Sequence, residues 1–142
     1  MTRSFKHWTI HYLFDRMVEK AYRSKNPDLP WLAPAANEFL SSYLKPSDTM
    51  LEFGSGRSTL WFCSKVAHIT SVEHDPVWYE KISNLLKDRQ IKNVTYLLHP
   101  KQEISIPAAN TSYVNAARTI APQSLDVVLV DGTYRAQCVL VS

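Results

Sequence analysis

Residues 50–56 read Met-Leu-Glu-Phe-Gly-Ser-Gly, an apolar run that ends in two closely spaced glycines. The next stretch, residues 57–63, has the character of a helix start. A strand that turns at glycines into a helix brings backbone close to a ligand, because glycine accepts positive φ and leaves room for close approach. This turn constrains the fold more than any other segment, and it predicts a ligand site at the end of a strand.

The order of the predicted elements is that of an α/β domain. Two helices are expected first, at residues 5–23 and 34–44, with a proline-rich link at 26–30. Strands then alternate with helices: the strands are expected at 49–53, 67–73, 93–98 and 125–131, and the helices at 58–65 and 75–89. Such alternation predicts a parallel sheet with right-handed crossovers. We expect an N-terminal helical segment and linker at 1–33 and one domain at 34–142.

Composition narrows the class of protein. A chain of 142 residues with 45% hydrophobic and 20% charged residues is typical of one globular domain. The net charge of +3 is spread along the chain, which argues against a nucleic-acid or anionic-membrane partner. Cys63 and Cys138 are expected to be buried free thiols. The sequence has no long apolar stretch or secretory pattern, so we expect a cytoplasmic protein without a transmembrane helix.

Three carboxylates are predicted to meet at one edge of the sheet. Glu52, Glu73 and Asp131 lie at or near the carboxyl ends of the first, second and fourth strands, where open parallel sheets bind ligands. Glu73 follows Glu52 by 21 residues, a spacing typical of the acid that binds a ribose. A carboxylate suits a vicinal diol because it offers two acceptor oxygens.

The glycine turn discriminates between cofactors. A dinucleotide requires a third glycine so that backbone amides surround the pyrophosphate, but here Gly56 is followed by Arg57, Ser58 and Thr59. Glu52 would repel a pyrophosphate and attract a cation. The turn therefore favours a nucleoside with positive charge, a description that fits S-adenosylmethionine.

Three motifs together resemble the class I S-adenosylmethionine-dependent methyltransferases: residues 51–56, residues 72–75 and residues 126–132. The resemblance covers about residues 34–140. It implies a Rossmann-like three-layer fold with the strand order 3-2-1-4 in this chain. The position after the third strand, which is often acidic in the family, is His99 here.

The resemblance also implies a role for each motif residue. Gly54, Ser55 and Gly56 would contact the methionine portion of the cofactor. Glu73 would bind the ribose hydroxyls, and His74 would lie against the adenine. Asp131 would face the methyl-transfer site and is the catalytic candidate, while Glu52 would orient the cofactor's amino group directly or through water. No metal site is expected, since His7 and His11 lack a third ligand.

The family's sheet has seven strands, whereas this sequence ends soon after the fourth. We therefore expect either a truncated product or a homodimer that pairs through strand 125–131, because an apolar strand edge tends to pair with another chain. The connection 99–124 is expected to be helical only at residues 112–120, and to be a mobile flap or a segment ordered by a ligand.

Three functions stay open at this point. The first is methyl transfer to an unidentified acceptor, expected to be a small molecule. The second is an NAD-binding oxidoreductase half-domain, against which the missing glycine counts. The third is a non-catalytic module that binds a nucleoside or another protein.

Overall fold

The computed structural model describes residues 9–26, 29–101 and 107–142. Its α-helices in these residues are Ile10–Lys25 (α1), Pro34–Tyr43 (α2), Arg57–Cys63 (α3), Pro76–Asp88 (α4), Ser112–Asn115 (α5) and Arg135–Val141 (α6). Its β-strands are Thr49–Phe53 (β1), His68–Glu73 (β2), Val94–Leu98 (β3) and Val127–Val130 (β4). Short 3-10 turns at Ala108–Asn110 and Ala116–Thr119 flank α5. None of the helices described is long and apolar enough to cross a membrane.

The strands form one parallel sheet in the order β3-β2-β1-β4. This order confirms the predicted sheet and the α/β class. In the centre, Leu51 of β1 lies opposite Thr70 on one side and Val128 on the other. All residues of β1 except Thr49 are buried, as expected for a strand covered on both faces. The carboxyl ends of β2, β1 and β4 therefore lie side by side.

Each face of the sheet carries its own hydrophobic core. Alternate residues of a strand point to opposite faces, so Met50 packs with Phe62 of α3 and Ile82 of α4. On the other face, Phe53 packs with Tyr113 of α5. Helices thus cover both faces, which confirms the predicted three-layer arrangement.

Several element boundaries differ slightly from the sequence prediction, among them those of α3 and β4. α3 ends at Cys63 rather than at residue 65, and Ser64 then donates its hydroxyl to Trp61 O at 2.7 Å. β4 covers Val127–Val130 rather than 125–131. Both cysteines are buried free thiols, as predicted, and burial raises the pKa of the Cys63 thiol to about 12.

The connection between β3 and β4 is not a flap over residues 107–120, so that expectation is wrong there. Tyr113 is 1% exposed and Val114 is fully buried, because α5 packs into the second core. The helical stretch expected at residues 112–120 is present as α5 and the 3-10 turn that follows it. Residues 102–106 lie outside the described residues.

The N-terminal helices differ in how they pack. α1 begins after Thr9, whose Oγ1 accepts a hydrogen bond from Tyr12 N at 3.2 Å. The predicted start at residue 5 lies outside the described residues. Phe14 and Met17 of α1 are 64% and 71% exposed, whereas Leu40 of α2 packs against the first core. The division into residues 1–33 and 34–142 stays a prediction.

Candidate functional site

The glycine turn lies against the backbone that follows β4. Gly54 has a φ of +94°, in the region that favours glycine. A Cβ on Gly54 would lie 2.7 Å from the Cα and N atoms of Gly132. Gly56 is extended, with φ of 171°, and the nearest atoms to a Cβ there would be 3.9 Å away. The backbone therefore requires glycine at position 54 and not at position 56.

A cavity of about 550 Å³ opens at the carboxyl edge of the sheet. It is lined by residues 30–32, 54–58, 73–75 and 131–133, together with Trp78 and Leu129. All the site residues predicted from sequence, except Glu52, are among these lining residues. Their roles toward a cofactor stay predictions, but the structure does bring them to one pocket.

Glu52 lies beneath the turn rather than in the cavity wall. Its carboxylate is fully buried and accepts hydrogen bonds from three hydroxyl groups. Ser58 Oγ donates to Oε1, while Thr59 Oγ1 and Ser71 Oγ donate to Oε2 at 2.6 and 2.7 Å. Ser58 is the one of these three that lines the cavity. Any influence of Glu52 on a bound amino group would therefore pass through Ser58.

The environment of Glu52 changes its protonation. Burial raises the pKa of Glu52 from 4.5 to about 7, because the charged form loses its hydration. The three hydroxyl donors lower this pKa and Glu73 raises it further, but burial is the largest cause. Glu52 therefore changes charge near neutral pH, directly beneath the turn.

Both carboxylate oxygens of Glu73 accept hydrogen bonds from donors within the protein. Oε2 accepts hydrogen bonds from Ser55 N at 3.0 Å and from Ser55 Oγ at 2.7 Å. Oε1 accepts from His74 N at 2.7 Å and from Asp75 N at 2.8 Å. An ionised carboxylate offers about four acceptor positions. A ligand hydroxyl can therefore bind Glu73 only by replacing one of these donors.

Ser55 connects the turn to β3 and α4. Its hydroxyl lies 2.6 Å from Tyr96 OH, and its carbonyl oxygen accepts from Trp78 Nε1 at 2.8 Å. Burial raises the pKa of Tyr96 above its usual range, so the phenol keeps its proton. The Ser55 hydroxyl consequently has a second partner when its bond to Glu73 is given up.

His74 lines the cavity beside Glu73. Its Nδ1 lies 2.9 Å from Glu73 Oε1, and its ring meets Tyr113 edge-on at 5.7 Å between centroids. Tyr113 also closes the space behind Gly132, since a Cβ on Gly132 would lie 2.0 Å from the phenol oxygen. Close packing thus fixes the wall of the cavity on this side.

Asp131 follows β4 at the edge of the cavity. Its Oδ1 lies 2.9 Å from Arg135 Nη2, and half of its side chain is exposed. Arg135 also donates to the carbonyl oxygens of Asp131 and Gly132. These contacts hold the Asp131 carboxylate in place while leaving part of it accessible.

The parts of the cavity wall that the sequence does not predict include residues 30–32, Arg57 and Trp78. The buried Asn37 side chain donates to Pro30 O at 3.2 Å, which ties the N-terminal link to α2 beside the cavity. No local pattern marks residues so far from the turn in sequence. Arg57 could have been found, because its charge directly follows the second glycine.

Solved structures resemble this chain, whereas no protein-family model and no curated protein matches it. A methyltransferase-like protein from Silicibacter pomeroyi is 27% identical with a TM-score of 0.59, covering 78% of this chain and 64% of that one. The precorrin 8w decarboxylase from Methanobacterium thermoautotrophicum is 17% identical with a TM-score of 0.55, covering 81% and 59%. A methyltransferase candidate from Streptococcus mutans, in complex with SAH, is 13% identical with a TM-score of 0.52, covering 68% and 48%.

These likenesses identify the fold of the chain. It is the fold of the class I S-adenosylmethionine-dependent methyltransferases, which confirms the resemblance seen in the sequence at the level of fold. The chain spans from 48% to 64% of the length of the three structures.

Proposed function

We propose that this chain binds S-adenosylmethionine in the cavity at the carboxyl edge of the sheet and serves methyl transfer to a small molecule. One observation carries the proposal: the Gly54–Gly56 turn after β1 and Glu73 at the end of β2 line the same cavity. The neighbour from Streptococcus mutans, which shares the fold, is in complex with SAH.

The charge of the cavity wall favours a cationic nucleoside. Among the described residues, three carboxylates, those of Glu73, Asp75 and Asp131, line it against the single arginine Arg57, and Glu52 lies buried beneath the turn. A pyrophosphate placed at this turn would meet carboxylates of the same sign, whereas the sulfonium and ammonium groups of S-adenosylmethionine would be attracted. This electrostatic argument favours methyl transfer over the NAD-binding alternative.

The size of the cavity and the hydrogen bonds in its wall also fit the cofactor. Its volume of about 550 Å³ lies within the usual range of small-molecule sites. Ribose binding at Glu73 requires one donor to leave, and the Ser55 hydroxyl can do so because Tyr96 OH lies 2.6 Å from it. His74, next to Glu73, would then lie against the adenine.

Bound S-adenosylmethionine supplies an electrophilic methyl group. The chain's own residues position the reactants and exclude water, because an in-line displacement depends mainly on proximity and orientation. Asp131, fixed by Arg135 at 2.9 Å, is the group that would receive a proton from the acceptor.

Calorimetric titration with S-adenosylmethionine, S-adenosylhomocysteine and NAD tests the proposal. We expect the two sulfur nucleosides to bind and NAD not to bind. Glu73→Ala should abolish nucleoside binding while the protein stays folded, and Glu80→Ala, which removes an exposed carboxylate of α4, is the matched control. Binding of NAD alone would reject the proposal. Nucleoside binding without methyl transfer to any small acceptor would favour a non-catalytic module.

A further inference from the structure

The first helix, α1, exposes an apolar face. Its apolar side chains recur at the spacing of one helical face, at positions 13, 14, 17, 18 and 21. The four largest, Leu13, Phe14, Met17 and Val18, are between 45% and 71% exposed. Among the described residues, neither hydrophobic core includes a residue of α1. The face is therefore open to solvent, although most helices in proteins are stabilised by burial of such a face.

Positive charge borders the apolar face of α1. Leu13 and Val18 form its two borders, because five positions correspond to roughly 140° around a helix. Side chains seven positions apart lie almost above one another, since two turns of a helix take about seven residues. Lys20 lies seven positions after Leu13, and both lie along one border. Lys25 lies seven positions after Val18 on the other border, and both lysines are exposed.

The carboxylates of α1 lie on the opposite side of the helix. Asp15 and Glu19 are each two positions from Met17, which is roughly 160° around the helix from the middle of the apolar face. On that side Glu19 Oε2 lies 3.7 Å from Arg16 Nη1, so part of the negative charge is offset there. The apolar face is thus bordered by cations, while the acidic groups face away from it.

This arrangement suits a flat anionic surface. Long lysine side chains at both borders can reach the same plane of headgroups while the apolar residues between them enter the boundary of the acyl chains. Anionic headgroups attract each of these lysines, and the acyl chains bury the apolar face. A protein groove that enclosed the same face would have to remove both ammonium groups from water.

We propose that α1 lies in the surface of a bilayer that contains anionic phospholipid, with its apolar face turned toward the acyl chains. The net charge of +3 argues against such a partner for the chain as a whole, but it averages over faces that do not touch the lipid. Pro30 lines the cavity only five positions after Lys25, the last residue of α1. A bound α1 therefore keeps the cavity close to the bilayer. This inference goes beyond the proposed function and does not depend on it.

Flotation with phospholipid vesicles tests the proposal. The vesicles consist of phosphatidylcholine alone, or of equal parts phosphatidylcholine and phosphatidylserine. We expect the wild type to bind the mixed vesicles at least about tenfold more tightly, because two lysines face the anionic headgroups. Met17→Glu should weaken this binding by at least about tenfold, since its carboxylate would have to enter the apolar boundary. Lys20→Gln should weaken it by about fivefold, the share of one lysine near the surface.

Val77→Glu is the matched control for Met17→Glu. Val77 is 79% exposed, against 71% for Met17, and it lies in the first turn of α4, where a carboxylate is tolerated. It should bind both kinds of vesicle as the wild type does, and circular dichroism should show that all variants are folded. No described residue of α1 lines the cavity. Met17→Glu should therefore bind S-adenosylhomocysteine with wild-type affinity, which separates this inference from the proposed function.

The outcomes decide which surface, if any, α1 contacts. Wild-type binding to the mixed vesicles that is lost in Met17→Glu and kept in Val77→Glu supports the proposal. A wild type that floats with neither kind of vesicle, or equally with both, overturns it. Equal weakening by Met17→Glu and Val77→Glu, or no effect of Met17→Glu, overturns it as well. A wild type that binds no vesicles but self-associates through α1, so that Met17→Glu becomes monomeric in sedimentation velocity, would assign the face to a second copy instead.

Discussion

The backbones of Gly54 and Gly132 are packed so closely that neither residue can carry a side chain without displacing its neighbours. A Cβ on Gly54 would lie 2.7 Å from Gly132 Cα, and a Cβ on Gly132 would lie 3.0 Å from Gly54 N and 2.0 Å from the Tyr113 hydroxyl oxygen. The turn after β1 and the chain after β4 are therefore fitted to each other. The shape of the cavity depends on this contact, because both glycines line it.

Gly54→Ala should destabilise the protein by about 2–4 kcal/mol, because strain at positive φ adds to steric overlap with Gly132. Gly56→Ala is the matched control in the same turn. It should cost no more than about 1 kcal/mol, since its φ is extended and the space around its Cβ is open to 3.9 Å. Urea unfolding followed by circular dichroism measures both values. Equal destabilisation by the two substitutions would contradict the assignment of the constraint to position 54.

Glu52 should make stability depend on pH. Its pKa is about 7 in the folded protein against 4.5 for the free side chain, so the folded state holds the proton more tightly. The contribution of Glu52 to the free energy of unfolding is therefore fully present below pH 4.5, falls as the pH rises toward 7, and is lost above it. The pKa difference corresponds to a loss of roughly 3 kcal/mol.

Glu52→Gln removes this titration and tests it. The unfolding free energy of the variant, relative to wild type, should rise between pH 4.5 and 7 and then stay level. Urea unfolding at a series of pH values gives this difference. Glu80→Gln, which changes an exposed carboxylate, should show no such rise. A constant difference between Glu52→Gln and wild type over this range would show that Glu52 is ionised throughout.

The sequence predicts best where the signal is local. Asp75-Pro76 predicts the start of α4, and Asp75 Oδ1 does accept hydrogen bonds from Val77 N and Trp78 N at 2.9 and 3.0 Å. The four strands follow in the same way from apolar runs that alternate with helices, whereas their order is implied by the resemblance to the methyltransferase family. The turn at Gly54 is predicted as well, because a glycine directly after an apolar strand indicates a backbone with positive φ.

Contacts between distant segments are what the sequence does not predict. Glu52 is expected to reach a cofactor, but hydroxyls from α3 and from Ser71 on β2 surround its carboxylate. The wall formed by residues 30–32 depends on the Asn37 contact with Pro30 O. Such partners are set by how the elements pack, and no spacing in the sequence records them.

Ser55→Ala should tighten binding of S-adenosylhomocysteine by about 2- to 10-fold. The Ser55 hydroxyl donates to Glu73 Oε2 at 2.7 Å, so its removal leaves one acceptor position for the ribose without the loss of a hydrogen bond. Calorimetric titration measures the change. Ser42→Ala, which removes an exposed hydroxyl that donates to Phe39 O, is the control. Weaker binding by Ser55→Ala would mean that the hydroxyl itself contacts the ligand.

β4 should mediate self-association of this chain. Within the part of the chain that the structure describes, β4 pairs only with β1, and its other edge leaves backbone groups without a strand partner. On α6, which packs beside β4, Leu140 is 84% exposed. An apolar edge of this kind tends to pair with a second copy. We therefore expect a concentration-dependent dimer in sedimentation velocity.

Two single substitutions locate the dimer interface. Leu140→Lys should weaken the dimer by at least tenfold in Kd, because a lysine on the exposed side of α6 would have to lose hydration in an interface formed by α6 and β4. Met17→Lys is the control on the other apolar surface, since Met17 of α1 is 71% exposed, and it should leave the dimer unchanged. Loss of the dimer in Met17→Lys alone would assign the contact to α1, and a wild type that stays monomeric at high concentration would reject pairing through β4.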